Sequence, residues 1–226
     1  QAGAYCLEHP HGGLGMLLGG VPGVEPAKIV ILGGGVAGTN AAEMAVGLKA
    51  DVTVIDKSAK RLRELQFAFG NRIKAVYSTA QSIEKHVVDA DLVIGSVLIA
   101  GAAAPKLVTR DMVSRMRPGS VLVDISIDQG GCFETSRPTT HAEPTYEVDG
   151  VIHYCVANMP GAYARTATQA LANVTFPYVD LIATRGLAEA AAAKPELLGG
   201  INVMNGQVTC SAVAEAHGVE CGEPEL

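Results

Sequence analysis

The stretch from Lys28 to Asp56 reads KIVILGGGVAGTNAAEMAVGLKADVTVID, and its pattern decides the fold class. A short apolar run leads into glycines, an alanine-rich run follows, and a second apolar run ends in an acid. This order is typical of a β-strand, a tight turn, an α-helix and a second parallel strand. Gly33, Gly35 and Gly38 fit the spacing G-x-G-x-x-G, which in this context is typical of a turn that binds a dinucleotide.

Each position of this turn has a physical role. The first glycine allows the sharp turn out of the strand, the second allows the backbone to approach a pyrophosphate, and the third allows close packing of helix on strand. The helix that begins near Val36 and Ala37 points free N–H groups and its positive dipole end at the phosphates. A glycine turn without a ligand, or the glycine loop of a methyltransferase, would share part of this pattern. The full spacing favours a dinucleotide.

An acid ends the second predicted strand. Asp56 follows Gly33 by 23 residues, where a carboxylate can accept hydrogen bonds from both hydroxyls of the adenosine ribose. We therefore expect NAD as the cofactor, because the 2′-phosphate of NADP would meet a like charge. Lys57, Lys60 and Arg61 follow closely and would soften that repulsion.

Composition excludes several classes of function. The 226 residues are 48% apolar with a net charge of −6, which predicts a folded soluble protein that binds neither nucleic acid nor membranes. The uncharged run 92–105 is short and broken by glycines and a proline. The five cysteines form no C-x-x-C pair, so we expect reduced thiols in a cytoplasmic protein and no metal site. The chain begins at Gln1 without a secretory signal, and we expect residues to be missing upstream.

Apolar runs and turns continue to alternate beyond Asp56 and predict an α/β fold of the Rossmann type, a doubly wound parallel sheet with flanking helices from an incomplete second domain. We expect a linker helix and glycine-rich lead-in over 1–24, an NAD-binding domain over 25–160, and a helical C-terminal part over 161–226. The predicted strands are 29–32, 52–55, 75–77, 92–95, 120–125 and 152–154, and the predicted helices are 36–49, 59–69, 82–88, a short one after Thr109, 162–181 and 187–193.

Ligands of such sheets bind beyond the carboxyl ends of the strands, so the loops after the later strands should meet the nicotinamide half. Asp128 lies after the fifth predicted strand, where a carboxylate could accept a proton or orient an ammonium group, or could simply cap the turn before two glycines. Asn158 and Met159 follow the sixth strand beside the same cleft. Asn158 could equally be the N-cap of the next helix.

Three longer motifs carry a family resemblance. GGVPGV at 19–24, DISIDQGGCFE at 124–134 and VANMPGAYART at 156–166 resemble the L-alanine dehydrogenase family, and the likeness runs through essentially the whole chain. The resemblance implies reversible oxidative deamination of L-alanine to pyruvate and ammonia, with hydride transfer to NAD, in a hexamer. It implies Asp128 as the acid/base residue. The cofactor contacts that it implies are Asp56, Arg61, Ser78, Val97, Leu98, Ile125, Ser126, Ile127, Asp128, Arg137, Val156, Ala157, Asn158 and Met159.

The chain also departs from the family. Members carry an N-terminal portion that supplies an arginine, a lysine and a histidine to the substrate, and these 226 residues do not include such a portion. We expect residues 161–226 to be part of the substrate domain, and we expect this chain to bind NAD without turning over alanine by itself. The alternatives are the NAD-binding part of a nicotinamide nucleotide transhydrogenase and a non-catalytic NAD-binding module.

Overall fold

A mostly parallel sheet organises Gln1–Met159, the first of the two units into which the chain divides. The computed structural model of the protein describes residues 1–97 and 104–224. The strands of this sheet are β1 Lys28–Leu32, β2 Asp51–Asp56, β3 Ile73–Tyr77, β4 Leu92–Gly95, β5 Val121–Asp124, β6 Thr145–Val148 and β7 Val151–Tyr154. Their order is β3-β2-β1-β4-β5-β7-β6, and every neighbouring pair is parallel except β6 with β7.

This order confirms the predicted doubly wound fold. The chain runs outward from β1 in one direction through β2 and β3, and in the other through β4, β5 and β7, so the direction of winding switches between β1 and β4. A crevice at the carboxyl ends of the strands is expected at that switch point. The sequence reasoning missed the edge strand β6, although Asp149-Gly150 is a hairpin signal, and both residues have positive φ.

Helices cover both faces of the sheet. They are α1 Ala2–Cys6, α2 Val36–Gly47, α3 Ala59–Phe69, α4 Ala80–Val88 and α5 Arg110–Ser114. Because side chains alternate along a strand, Ile29 and Ile31 pack with α1, α2 and α3, while Val30 and Leu32 pack with α4 and α5. Helix α2 ends two residues before the predicted Lys49, which has φ +63°.

Residues 1–24, which the sequence suggests to be a linker, lie within the first unit. Cys6 and Leu7 are fully buried among the side chains of the core. The amide of Leu14 donates to the carbonyl oxygen of Gly119, which joins this segment to the loop before β5. The segment therefore contributes to the core, and the division of the chain into functional domains stays a prediction.

The second unit, Pro160–Leu226, is mainly helical. Its elements are α6 Ala164–Ala193, a 3-10 helix Pro195–Gly200, the hairpin strands β8 Val203–Met204 and β9 Gln207–Val208, and α7 Ser211–His217. Gly186 has φ +77° and breaks α6 between the two predicted helices 162–181 and 187–193. Of the helices that the structure describes, none is long and apolar enough to cross a membrane.

Candidate dinucleotide site

The glycine turn after β1 has a geometry that side chains would block. Gly33 has φ +98°, and a Cβ there would lie 2.8 Å from the carbonyl oxygen of Ser96. A Cβ on Gly38 would overlap the carbonyl oxygen of Gly33 and lie 2.7 Å from Ser96 Oγ. The first and third glycines therefore allow the turn and the start of α2 to pack against the end of β4.

The second glycine of the motif, Gly35, borders open space. Gly35 is the N-cap of α2 without a side-chain cap, and a Cβ there would meet no atom of the described residues within 4 Å. Val36, the first residue of the helix, is 82% exposed. The N–H groups of the first turn thus face an accessible surface at the positive end of the helix dipole. These residues fit a pyrophosphate.

Asp56 ends β2 beside this turn. Its Oδ2 accepts a hydrogen bond from the amide of Gly34 at 2.7 Å, and its Oδ1 accepts one from the amide of Ser58 at 2.7 Å. Each carboxylate oxygen keeps a second lone pair, so the residue can hold the turn and still accept hydrogen bonds from a ribose. A cleft of about 190 Å³ opens here. Its lining includes Leu32, Gly33, Ile55, Asp56, Lys57, Ser78, Val97, Pro105 and Leu107.

Arg61 of α3 forms hydrogen bonds with the glycine turn and the start of α2. Its Nε donates to the carbonyl oxygen of Gly34 at 2.6 Å, its Nη2 donates to Thr39 Oγ1 at 2.6 Å, and its Nη1 pairs with Glu64 Oε2 at 2.8 Å. The guanidinium is engaged by groups of the chain itself. It is therefore a poor counter-charge for a 2′-phosphate, which supports the expected preference for NAD.

The loop after β5 carries the predicted acid/base residue. Residues Ile125–Gln129 form a 3-10 helix, whose cap is the fully buried Asp124. Asp124 accepts a hydrogen bond from the amide of Ser126 at 3.0 Å, whereas the side chain of Asp128 is exposed. In the turn before the two glycines, the amides of Gly130 and Gly131 donate to the carbonyl oxygens of Ile127 and Ser126 and not to Asp128, so the suggestion that Asp128 caps this turn is wrong. Ser126 Oγ donates to the carbonyl oxygen of Val97 at 2.8 Å and joins the loops after β4 and β5.

The loop after β7 lies along the same edge of the sheet. Val156 is buried and pairs with Thr139, and Ala157 and Asn158 are exposed. Asn158 has φ +56°, which is not the extended conformation of an N-cap, so that alternative is wrong. Met159 is half-buried against the core.

Arg137, a further predicted cofactor contact, packs on an aromatic ring. The guanidinium carbon of Arg137 lies 3.9 Å from the ring centroid of Tyr146, and the Arg137 amide donates to the hydroxyl of that tyrosine. Leu98 lies outside the described residues. Ile127 is buried and Ile125 is half-buried beneath the loop.

Sequence reasoning missed two charged residues beside Asp128. Asp124 also accepts from the amide of Cys132 at 2.9 Å, and the ammonium of Lys106 donates to three carbonyl oxygens of the same loop. Burial and the nearby carboxylate raise the pKa of the Cys132 thiol. An acid at the last position of an apolar strand was the available signal for Asp124. Lys106 had none, because its partners are backbone atoms. Among the described residues no three His, Cys, Asp or Glu side chains could hold a metal ion together.

Comparison with known proteins identifies the family. The model of the alanine dehydrogenase/PNT C-terminal domain matches residues 1–211. The chain belongs to this family. It is 61% identical to the alanine dehydrogenase of Halomonas elongata over 220 residues, which cover 97% of this chain and 59% of that protein. It is 57% identical to the alanine dehydrogenase of Bacillus subtilis over 221 residues, which cover 97% of this chain and 58% of that protein.

Solved structures of family members give the same result. A structure of L-alanine dehydrogenase superposes with a TM-score of 0.92 at 52% identity, and the match covers 96% of this chain and 60% of that one. A transhydrogenase from Sinorhizobium meliloti gives 0.63 at 32% identity, over 73% of this chain and 48% of that one. Within the family, these values favour alanine dehydrogenase over transhydrogenase. The chain spans about 59% of the length of the curated relatives that it matches.

Proposed function

We propose that this chain is the NAD-binding portion of an alanine dehydrogenase. The observation that carries the proposal is the open N-terminus of α2 at Gly35 with Asp56 beside it, an arrangement that fits a pyrophosphate and a ribose. The relatives printed as alanine dehydrogenases supply the reaction class. In that reaction L-alanine, water and NAD⁺ give pyruvate, ammonium, NADH and a proton.

The site residues divide between two halves of the cofactor. Gly33, Gly35, Val36, Ala37 and Gly38 would hold the pyrophosphate, and Asp56, Arg61 and Ser78 would bind or support the adenosine ribose. The nicotinamide half would be bound by Val97, Leu98, Ile125, Ser126, Ile127, Asp128, Val156, Ala157, Asn158 and Met159, and Arg137 would be a further cofactor contact.

Asp128 would exchange protons with the reacting groups. Its carboxylate is exposed at the carboxyl edge of the sheet, on the loop that Ser126 joins to Val97. When bound there, NAD supplies a hydride acceptor, and the carboxylate can take up the proton released as water adds to the substrate carbon. A carboxylate with a structural role would accept hydrogen bonds from donors of the chain, as Asp124 does.

Calorimetric titration of the 226-residue chain with NADH and with NADPH tests the cofactor assignment. We expect NADH to bind more tightly, because Asp56 repels the 2′-phosphate and Arg61 is engaged elsewhere. Equal binding of the two cofactors would contradict the role of Asp56. Absence of binding would contradict the proposal as a whole.

Asp128→Asn in the complete enzyme tests the acid/base role. We expect kcat to fall about 100-fold or more with little change in NADH affinity, since general acid–base groups contribute about 10²–10⁴ in rate. Asp149→Asn is the matched control, because Asp149 is a surface acid in the β6–β7 turn, paired with Arg110. Unchanged kcat in Asp128→Asn would contradict the acid/base role of Asp128.

The remaining assignments concern the complete protein. We propose L-alanine, pyruvate and ammonia as its substrates and products, a homo-hexamer as its assembly and the cytoplasm as its location. We also propose that the described chain alone does not turn over alanine. Alanine-dependent NADH formation by these 226 residues would contradict that last statement.

A further inference from the structure

The loop that carries Asp128 is held from its buried side by one carboxylate. Asp124 is fully buried at the end of β5. Its Oδ1 accepts from the amide of Ser126 at 3.0 Å, and its Oδ2 accepts from the amide of Cys132 at 2.9 Å and from Ser136 Oγ at 2.5 Å. These three partners lie on both sides of Asp128 in the chain. One side chain therefore fixes the start and the end of the segment 126–136.

The same loop is held from its outer side by one ammonium. Lys106 Nζ donates to the carbonyl oxygens of Gly130 at 2.6 Å, Gly131 at 2.9 Å and Phe133 at 3.1 Å. An ammonium has three N–H donors, so all of them are used on this loop. The carboxylate of Asp124 accepts hydrogen bonds from N–H and O–H groups of the loop, and the ammonium of Lys106 donates hydrogen bonds to its carbonyl oxygens. The two side chains therefore bind complementary groups of the same loop.

The loop backbone packs closely between Asp124 and Lys106. Gly131 lies between them with φ +75°, and a Cβ there would lie 2.7 Å from Asp124 Oδ2 and 2.7 Å from Ser136 Cβ. Only a hydrogen atom fits at this position. The backbone of the loop thus rests directly on the buried carboxylate while Lys106 binds its carbonyl groups.

We propose that Asp124 and Lys106 are positioning residues that hold the loop of Asp128 for catalysis. This inference rests on the proposed function, because it assigns the two residues to the placement of the acid/base group. Placement errors of about 1 Å can cost about 100-fold in rate. An exposed side chain on a short loop takes its position from the backbone beneath it, which here is fixed by these two residues.

The test uses isosteric or size-matched variants with controls of the same chemistry. Asp124→Asn replaces one acceptor oxygen by an amide that faces a donor, and Lys106→Met removes three hydrogen bonds at little change in length. Asp91→Asn is the control for the first, since Asp91 is 1% exposed and accepts from the amide of Lys28 at the opposite edge of the sheet. Lys74→Met is the control for the second, since Lys74 pairs with Asp51 at the surface.

The first readout is local and needs no activity. Alkylation of Cys132 in the 226-residue chain is followed by mass spectrometry, with the buried Cys6 as the internal control. We expect both loop variants to raise the rate at Cys132 about tenfold or more, because each loses hydrogen bonds to a charged group. Lys106→Met is the decisive variant, since Asp124→Asn also removes the carboxylate that raises the pKa of the Cys132 thiol. The alkylation rate of Cys6 and the affinity for NADH should change less than about threefold. Such small changes would show that the fold and the glycine turn are intact.

The second readout is kinetic and uses the complete enzyme. We expect kcat to fall about 10- to 100-fold with KM for NAD nearly unchanged, and Lys106→Arg to recover part of the loss because a guanidinium also donates to carbonyl groups. Wild-type protection of Cys132 and wild-type kcat in both loop variants would overturn the proposal, as would equal losses in the controls. If Asp124→Asn does not fold, Lys106→Met decides. If the wild type lacks alanine activity, the proposed function fails, while Cys132 alkylation still decides whether the two residues hold the loop.

Discussion

Gly38→Ala should separate the role of the glycine turn from that of ordinary helix packing. The added Cβ would overlap the carbonyl oxygen of Gly33 and lie 2.7 Å from Ser96 Oγ and 3.0 Å from the carbonyl carbon of Gly33. Most of these atoms belong to the backbone and cannot rotate away. The start of α2 must therefore move away from the turn, and its N–H groups move with it.

The size of the effect follows from this geometry. Non-bonded atoms are in contact at about 3.5 Å, so relieving the overlap with the carbonyl oxygen of Gly33 requires the helix to shift by about 1–2 Å. Overpacking of this kind costs about 1–3 kcal/mol of stability. A displaced helix N-terminus loses alignment with the pyrophosphate, and we expect NADH affinity to fall at least about tenfold, or 1.4 kcal/mol.

Two glycines of the same segment supply comparisons: Gly47 as a control for helix substitution, and Gly35 as a second position in the predicted pyrophosphate site. Gly47 ends α2, and a Cβ there meets nothing within 4 Å, so Gly47→Ala should leave NADH binding unchanged and add about 0.5–1 kcal/mol of stability. Gly35→Ala should fold, since its φ of −64° suits any residue, yet it should weaken NADH because the methyl group occupies the approach to the pyrophosphate. Calorimetry and urea unfolding measure both quantities for all three variants.

The series has a clear contrary outcome. If Gly38→Ala binds NADH like the wild type, α2 does not supply the anion site. If Gly47→Ala loses as much affinity as Gly38→Ala, the loss reflects the helix as a whole and not the turn.

Three further variants test the cofactor preference, the pH dependence and the core. Asp56→Asn should raise the ratio of NADPH to NADH affinity about tenfold in calorimetry, because the repelling charge is lost, whereas Asp51→Asn at the start of the same strand should leave the ratio unchanged. Burial lowers the pKa of His153 below its ordinary 6.5, so the unfolded chain binds a proton that the folded chain does not. Stability should therefore fall as the pH drops below 6.5, by up to about 1.4 kcal/mol at pH 5.5, and urea unfolding of His153→Gln should show a flatter pH dependence; equal slopes would contradict this. Phe133→Ala should cost about 3–5 kcal/mol because its ring is fully buried, and the 85% exposed Phe67 provides a control that should change by less than about 0.5 kcal/mol in the same unfolding assay.

Much of the fold was predictable because its signals are local. The glycine spacing, the apolar runs of β1 and β2 and the acid at Asp56 lie within one continuous stretch, and each element there follows from neighbouring residues. The bounds of α3 agree with the prediction at both ends, because Ser58 caps its start and Gly70 follows its end. The position of the candidate site residues along one edge of the sheet was also predictable, since parallel strands place their carboxyl ends on one edge.

Other features depend on contacts between distant parts of the chain. The burial of Gly3 and Cys6 in α1 depends on packing against β5 and β7, which lie more than 100 residues away in sequence. Arg61, which the resemblance implies as an adenosine contact, also donates from its guanidinium to the carbonyl oxygen of Gly34. Every residue has a backbone carbonyl group, so patterns of residue types could not reveal this contact.

The sequence by itself determined the doubly wound Rossmann-type fold, the glycine turn and the family, because these depend on short-range periodicity and on residue types at fixed spacing. Only the tertiary structure decided which carboxylate caps the loop after β5 and which is exposed. Asp124 and Asp128 are both acids of one motif, four residues apart. Their difference arises from burial and from the backbone donors that folding brings to Asp124 and leaves away from Asp128.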